Sequence, residues 1–163
     1  MRKLGILMVV SALAVAMLPA GAAVAQEPIR GETDHVLDLT NTVEDGYLLA
    51  WVGTIEGDID GCIEWWIELA TWTNVTRPDH PGQASHYTMK TRVYSGESCG
   101  TLVLETIERG TTTMANTSWR ANGRVTYANP DHYPGWQGRS VHEQGRFSVE
   151  MYPFEGTSTL RIN

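Results

Sequence analysis

Between residues 57 and 69 the chain reads GDIDGCIEWWIEL, and this stretch limits the fold more than any other. Ile63, Trp65, Ile67 and Leu69 alternate with Glu64, Trp66 and Glu68. A period of two built from β-branched and aromatic residues is the pattern of a strand with one buried face. A helix would stack Ile63 on Ile67, but the paired tryptophans and nearby glycines favour extended chain. The run 47–56 before it is also apolar, and Gly57-Asp58-Ile59-Asp60-Gly61 separates the two. Glycine reaches positive φ freely and aspartate bonds its own backbone, so these five residues predict a tight turn and the whole stretch a β-hairpin. Alternating aspartates also open a calcium loop. Position twelve of such a loop, where an acid is required, would be Leu69 here.

The start of the chain is of another kind. Met1-Arg2-Lys3 is basic, residues 4–18 are apolar, and Ala23-Val24-Ala25 precedes Gln26. That is the layout of a secretory signal peptide cleaved after Ala25; its apolar core is shorter than the ~20 residues a membrane span needs. The expected address is secreted or periplasmic, with no membrane span. Removing Arg2 and Lys3 takes the formal net charge from −7 to −9 and leaves Lys90 as the only lysine. So acidic a surface argues against nucleic acid and anionic membranes as partners. Cys62 and Cys99 are the only cysteines. In an exported chain two cysteines predict a disulfide, which would contribute about 3–4 kcal/mol through the loop it closes.

Further strands are predicted at 85–95, 101–109, 111–121, 124–128, 139–152 and 157–162. Gly110 ends one of them, Asn122-Gly123 forms a hairpin turn, and Gly145 marks a bulge. Residues 26–46 form a polar N-terminal segment with a short strand at 35–40, so the domain proper is 47–163. No helix is expected. Eight closely spaced strands predict an all-β fold, a single eight-stranded antiparallel β-barrel with a β-sandwich as the alternative. If the strands run up and down, loops alternate between ends. This count puts Cys62 and Cys99 at one end. It puts the long loops 73–84 and 129–138, with Asp79, His80, Asp131 and His132, together at the other.

Trp51-Val52-Gly53-Thr54 runs into the Gly57–Gly61 turn, and the closing part carries Gly135-Trp136-Gln137-Gly138-Arg139, His142, Gly145 and Gly156-Thr157. These glycine spacings resemble those of the small barrels related to allene oxide cyclase and dirigent proteins, over most of the mature chain. The resemblance implies a lipocalin-like barrel with a ligand-sized cavity. Members of that superfamily cyclise or isomerise unsaturated lipids or steer radical coupling. No catalytic residue matches one to one.

The residues themselves suggest a binding site before they suggest a reaction. Trp51, Trp65, Tyr87, Met89 and Trp119 are placed to line a cavity for a small apolar or aromatic ligand, or else to fill the core. Glu64 is the candidate acid, should its face turn inward, where burial would raise its pKa. The opposite reading puts Glu64 and Glu68 in water with Ile63, Trp65 and Ile67 inside. Asp79, His80, Asp131 and His132 are metal-type ligands, but half a barrel apart, so neither metal nor cofactor is expected. His142-Glu143 lacks the histidine of a zincin, because residue 146 is Arg146. No nucleophile elbow or phosphate loop is present. Three functions follow: a ligand-binding barrel, a cyclase or isomerase, or a protein-interaction barrel with a filled core. Nothing in the sequence sets an oligomeric state.

Overall fold

Period-two alternation of inward and outward positions runs along several extended segments, Ile29–Leu37, Ser118–Ala128 and Ser140–Phe147 among them. The computed structural model describes residues 27–37, 42–71, 73–77, 80–96, 98–113, 117–148, 150 and 153–163, with the side chains of 73–77, 80–83 and 113 excepted. These residues form β1 (Ile29–Leu37), β2 (Val43–Glu44), β3 (Tyr47–Gly57), β4 (Gly61–Glu68), β5 (Thr73–Arg77), β6 (His80–Ser95), β7 (Thr101–Thr113), β8 (Ser118–Ala128), β9 (Ser140–Phe147) and β10 (Glu155–Ile162). A single 3-10 turn, Leu69–Thr71, follows β4. The order round the sheet is β1-β10-β9-β8-β7-β6-β4-β3, and β1 pairs with β3, so eight antiparallel strands close into a barrel. Closure removes the exposed edges an open sheet would leave. The short β2 pairs antiparallel with the start of β3, and β5 lies outside the barrel against β6.

The count of eight is as expected, but the strands are not the expected eight. Ile29–Leu37 is a full barrel strand, so the barrel begins at Ile29 and not at residue 47. Its exposures alternate with period two: Gly31, Thr33 and His35 face inward, and Glu32 and Asp34 face outward. The polar outward set made this stretch read as a tail. Gly110 does not end a strand, nor does Asn122-Gly123 turn one: β7 and β8 run through both positions in regular register. Gly145 sits in an unbroken ladder, with no bulge. At each of these glycines a Cβ would strike its neighbours: the Tyr87 ring at Gly110, the Ile107 carbonyl and Glu108 at Gly123, and Ser158, the Thr157 carbonyl and Trp119 at Gly145. Their reason for being glycine is close approach inside the barrel.

The corrected strands change which loops share an end. The Gly57–Gly61 turn, the 96–100 turn and the 129–139 loop all lie at one end, with the start of β1 and the end of β10. The Cys62–Cys99 disulfide forms there, with Cα atoms 5.5 Å apart. Three strands, β6, β7 and β8, separate His80 from the 129–139 loop. His80 therefore stands at the opposite end of the barrel from Asp131 and His132, and the expected loop 73–84 is instead largely strand, β5 and the start of β6. Asp79 lies outside the described residues, and of His80 only the backbone is described.

The stapled end is sealed. Asp58 and Asp60 serve the turn: Asp58 Oδ2 accepts from Arg30 N at 2.8 Å and Asp60 Oδ1 from Gly57 N at 3.0 Å. Both carboxylates are committed to backbone. The 129–139 loop folds back on itself through Tyr133 N to Asn129 O and through Gly138 N to Val125 O. This tucks Trp136 into the core beside Tyr133 and leaves Asp131 and His132 in water. Ile55, Ile59, Ile63, Val93, Leu104, Val125, Val141, Leu160 and Ile162 complete an apolar plug.

Candidate functional site

Toward the other end, the inward positions change character. Register places Thr91 beside Thr106, Met89 beside Glu108, and Tyr87 beside Gly110 on β6 and β7. On the far wall, Ala121 pairs with Glu143 and Trp119 with Gly145. The side chains that meet here are Trp65, Tyr87, Met89, Thr91, Thr106, Glu108, Glu143, Ser158, Thr33 and His35, all buried, with Trp51 and Trp119 half-buried against them. Trp65 and Trp119 meet edge to face at 6.3 Å, and the His35 ring lies 4.8 Å from Trp65 and 5.1 Å from Trp51.

Two carboxyl groups sit within this ring. Glu108 and Glu143 are 1% and 2% exposed. Glu108 Oε1 accepts from Thr91 Oγ1 at 3.0 Å and from Thr106 Oγ1 at 2.6 Å. Glu143 Oε1 accepts from Trp65 Nε1 at 2.9 Å and from Ser158 Oγ at 3.1 Å. In each group one oxygen thus takes two donors, while Oε2 has no hydrogen-bond partner among the described residues. Burial raises both pKa values above the carboxylate range, and the neighbouring Glu108 raises Glu143 further. Because an indole N–H can only donate, Glu143 Oε1 stays an acceptor. When Glu143 is protonated, the proton is on Oε2.

A hydroxyl chain leads away from Glu143. Ser158 spends its only hydroxyl proton on Glu143, so in the 2.7 Å contact between Thr33 Oγ1 and Ser158 Oγ the threonine donates. Thr33 Oγ1 is then an acceptor toward Ser158 N at 3.1 Å and toward His35 Nδ1 at 3.3 Å. This assigns the His35 proton to Nδ1 and leaves a lone pair on Nε2, which lies over Gly156. Burial lowers the His35 pKa to about 4 against the opposing charge of Asp34, so the ring is neutral at physiological pH. His35 also borders an open cleft of about 1240 Å³ that reaches over the outer faces of β1, β3 and β4, with Val52, Tyr94 and Phe147 in its walls.

Of the aromatic set expected from sequence, Trp65, Tyr87 and Met89 are brought together inside, with Trp51 and Trp119 at their margin. Glu64 is not. It faces outward, where its Oε2 accepts from Trp66 Nε1 at 3.1 Å and Tyr94 OH at 3.2 Å. His142 is exposed and bonds Asn122 Oδ1 at 2.6 Å. The groups missed were Glu108, Glu143 and His35. Each sits on an alternating run whose other members are small or apolar: Leu104, Thr106, Glu108, Gly110, Thr112 for one, Val141, Glu143, Gly145 for another. Ending the strand at Gly110 had concealed the first run. Among the described residues no group of three or more His, Cys, Asp or Glu could hold a metal ion, and no helix is long and apolar enough to cross a membrane. No family model matches the chain, nor does any curated protein or solved structure.

Proposed function

We propose that the chain is an exported barrel that holds a small aromatic or apolar molecule inside the half lined by Trp51, Trp65, Tyr87, Met89 and Trp119. The observation that carries this reading is the pair of unpartnered oxygens, Glu108 Oε2 and Glu143 Oε2. A barrel that used this region only as core would gain by filling it with hydrocarbon, because a buried carboxyl oxygen without a partner is costly. Aromatic walls with a few convergent polar atoms are the usual make-up of a small-molecule site. The disulfide suits an oxidising compartment. Kinship with the barrels of allene oxide cyclase and dirigent proteins would fit the same picture.

Native mass spectrometry of the protein taken from its own secretions, before and after denaturation, tests the reading. A small molecule released on unfolding is the expected result. If none is released, and aromatic probes leave the fluorescence of the tryptophans unchanged, a filled barrel acting through its outer surface replaces this reading.

A second reading, a cyclase or isomerase, is favoured by the Glu143 chain. An acid with its proton on Oε2, backed through Ser158 and Thr33 by a neutral His35, is equipped to protonate an unsaturated substrate. Glu143→Gln keeps the acceptor for Trp65 and removes the acid. It would abolish turnover and spare binding if the barrel is an enzyme.

A further inference from the structure

We infer that the interior site selects an organic cation: a primary amine whose ammonium group sits between Glu108 Oε2 and Glu143 Oε2 and whose hydrocarbon part lies against Trp65 and Trp119. The inference rests on the proposed interior site and names the class of ligand it takes.

The geometry bears on the choice. Each carboxyl group has its Oε1 fixed by two donors, Thr91 and Thr106 for Glu108, Trp65 and Ser158 for Glu143. The two groups are therefore held in place, and each presents one oxygen without a hydrogen-bond partner among the described residues. An ammonium group has three donors and no acceptor, so it can serve both oxygens at once. An alcohol can exchange hydrogen bonds with the pair but brings no charge, so it leaves a carboxylate formed there uncompensated. Among the described residues no lysine or arginine is fully buried, and none pairs with either carboxyl group. The rings add to the preference, since the face of tryptophan attracts a cation and most strongly where water is excluded. The acidic balance of the chain draws cations toward the barrel over longer distances.

Binding must then move a proton. The ammonium arrives charged and keeps its protons. One carboxylic proton leaves to solvent, and the interior becomes a carboxylate–ammonium pair beside a neutral acid. The affinity of an amine should accordingly rise by up to about tenfold per pH unit below the raised carboxyl pKa values, with about one proton released per ligand. A neutral ligand releases none.

Isothermal titration with 2-phenylethylamine and tryptamine against their uncharged counterparts 2-phenylethanol and tryptophol, at pH 5, 6, 7 and 8 and in two buffers of different ionisation heat, tests this on the whole chain. The expected result is at least tenfold tighter binding of the amines at pH 7, affinity that rises from pH 5 and levels off above the Glu108 pKa of about 7, and proton release near one at pH 5 and 6. In the variant E108Q/E143Q the preference for amines should vanish while the alcohols still bind. Alcohols that bind as tightly as the amines would overturn the cation and leave the interior site standing. Amine binding unchanged in E108Q/E143Q, or binding without proton release, would place the cation on surface acids and overturn the inference. Failure of all four probes would overturn the inference and count against the interior site as well. The pH series and proton count are read on the native chain, so they decide the matter even if E108Q/E143Q folds poorly.

Discussion

The two halves of the barrel interior are built from the same alternating strands and serve opposite ends. At the stapled end, aliphatic residues and Trp136 fill the space, and the turn aspartates each bond a backbone N–H. A few residues further along the same strands, the inward positions become threonines, serine, tryptophans and two carboxyl groups. The first half maximises burial of apolar surface, which is what stabilises a fold. The second half forgoes part of that stabilisation for polar groups that are satisfied on one side only. A protein tolerates such an arrangement where it has a use, because stability and function draw on different residues.

The sharpest test of this division is to damage each half in turn. Trp136→Ala removes a 6%-exposed indole from the plug and should cost about 3–5 kcal/mol, read from urea denaturation. Trp119→Ala, at a half-buried position beside the carboxyl pair, should cost clearly less. Equal losses would mean that the upper half is also structural core.

The disulfide comes next. Cys62 and Cys99 are 37 residues apart in sequence, and replacing both by serine should cost about 3–4 kcal/mol through the freed unfolded chain. The loss should leave probe binding in the upper half intact, since the bond closes the stapled end. If binding fell with stability, the two halves would not be independent.

The pH dependence of stability should bear the mark of the upper half alone. The folded-state pKa values of Glu108 and Glu143 are raised, so their contribution is fully present below the ordinary carboxylate range and is lost as pH rises through the raised values. His35 has the opposite sign. Its pKa is lowered to about 4, so its contribution is present above 6.5 and is lost as pH falls toward about 4. Each proton corresponds to a slope of up to about 1.4 kcal/mol per pH unit. Denaturation from pH 5 to 8 should therefore show stability that falls toward alkaline pH, and E108Q/E143Q should flatten that side. A flat native profile would show that the carboxyl groups are not buried in the way described.

Much of the fold was legible and only the aromatic part of the candidate site was, for one reason. Alternation revealed β3, β4 and β6 because their buried faces carry large apolar residues, such as Ile63, Trp65 and Ile67. Where the buried face carries Gly31, Thr33 and His35, or Thr106, Glu108 and Gly110, the same period is present but hydropathy conceals it. The polar interior hid β1 and broke β7 in two, and the miscounted strands then put the two Asp-His loops at the same end. The disulfide survived the miscount because Cys62 and Cys99 depend only on the hairpins nearest to them. The tryptophans were found for their size. The acids were missed because a glutamate in an alternating run is normally assigned to water.

Glu64 and Glu143 show what separates a carboxyl group on the barrel from one in it, and this is the smallest effect to measure. Both accept a hydrogen bond from a tryptophan Nε1, Trp66 for Glu64 and Trp65 for Glu143. Sequence alone gives the two little to tell them apart. Glu64 faces outward, where water screens its charge and removing it should change stability by no more than about 0.5 kcal/mol. Glu64→Gln should therefore leave stability, its pH profile and any ligand affinity unchanged within error. Glu143→Gln should raise stability at pH 8 and weaken the binding of amine probes. If Glu64→Gln instead reproduced the effect of Glu143→Gln, the functional carboxyl would lie on the outer face, by the cleft that passes over β4, and the interior pair would be structural.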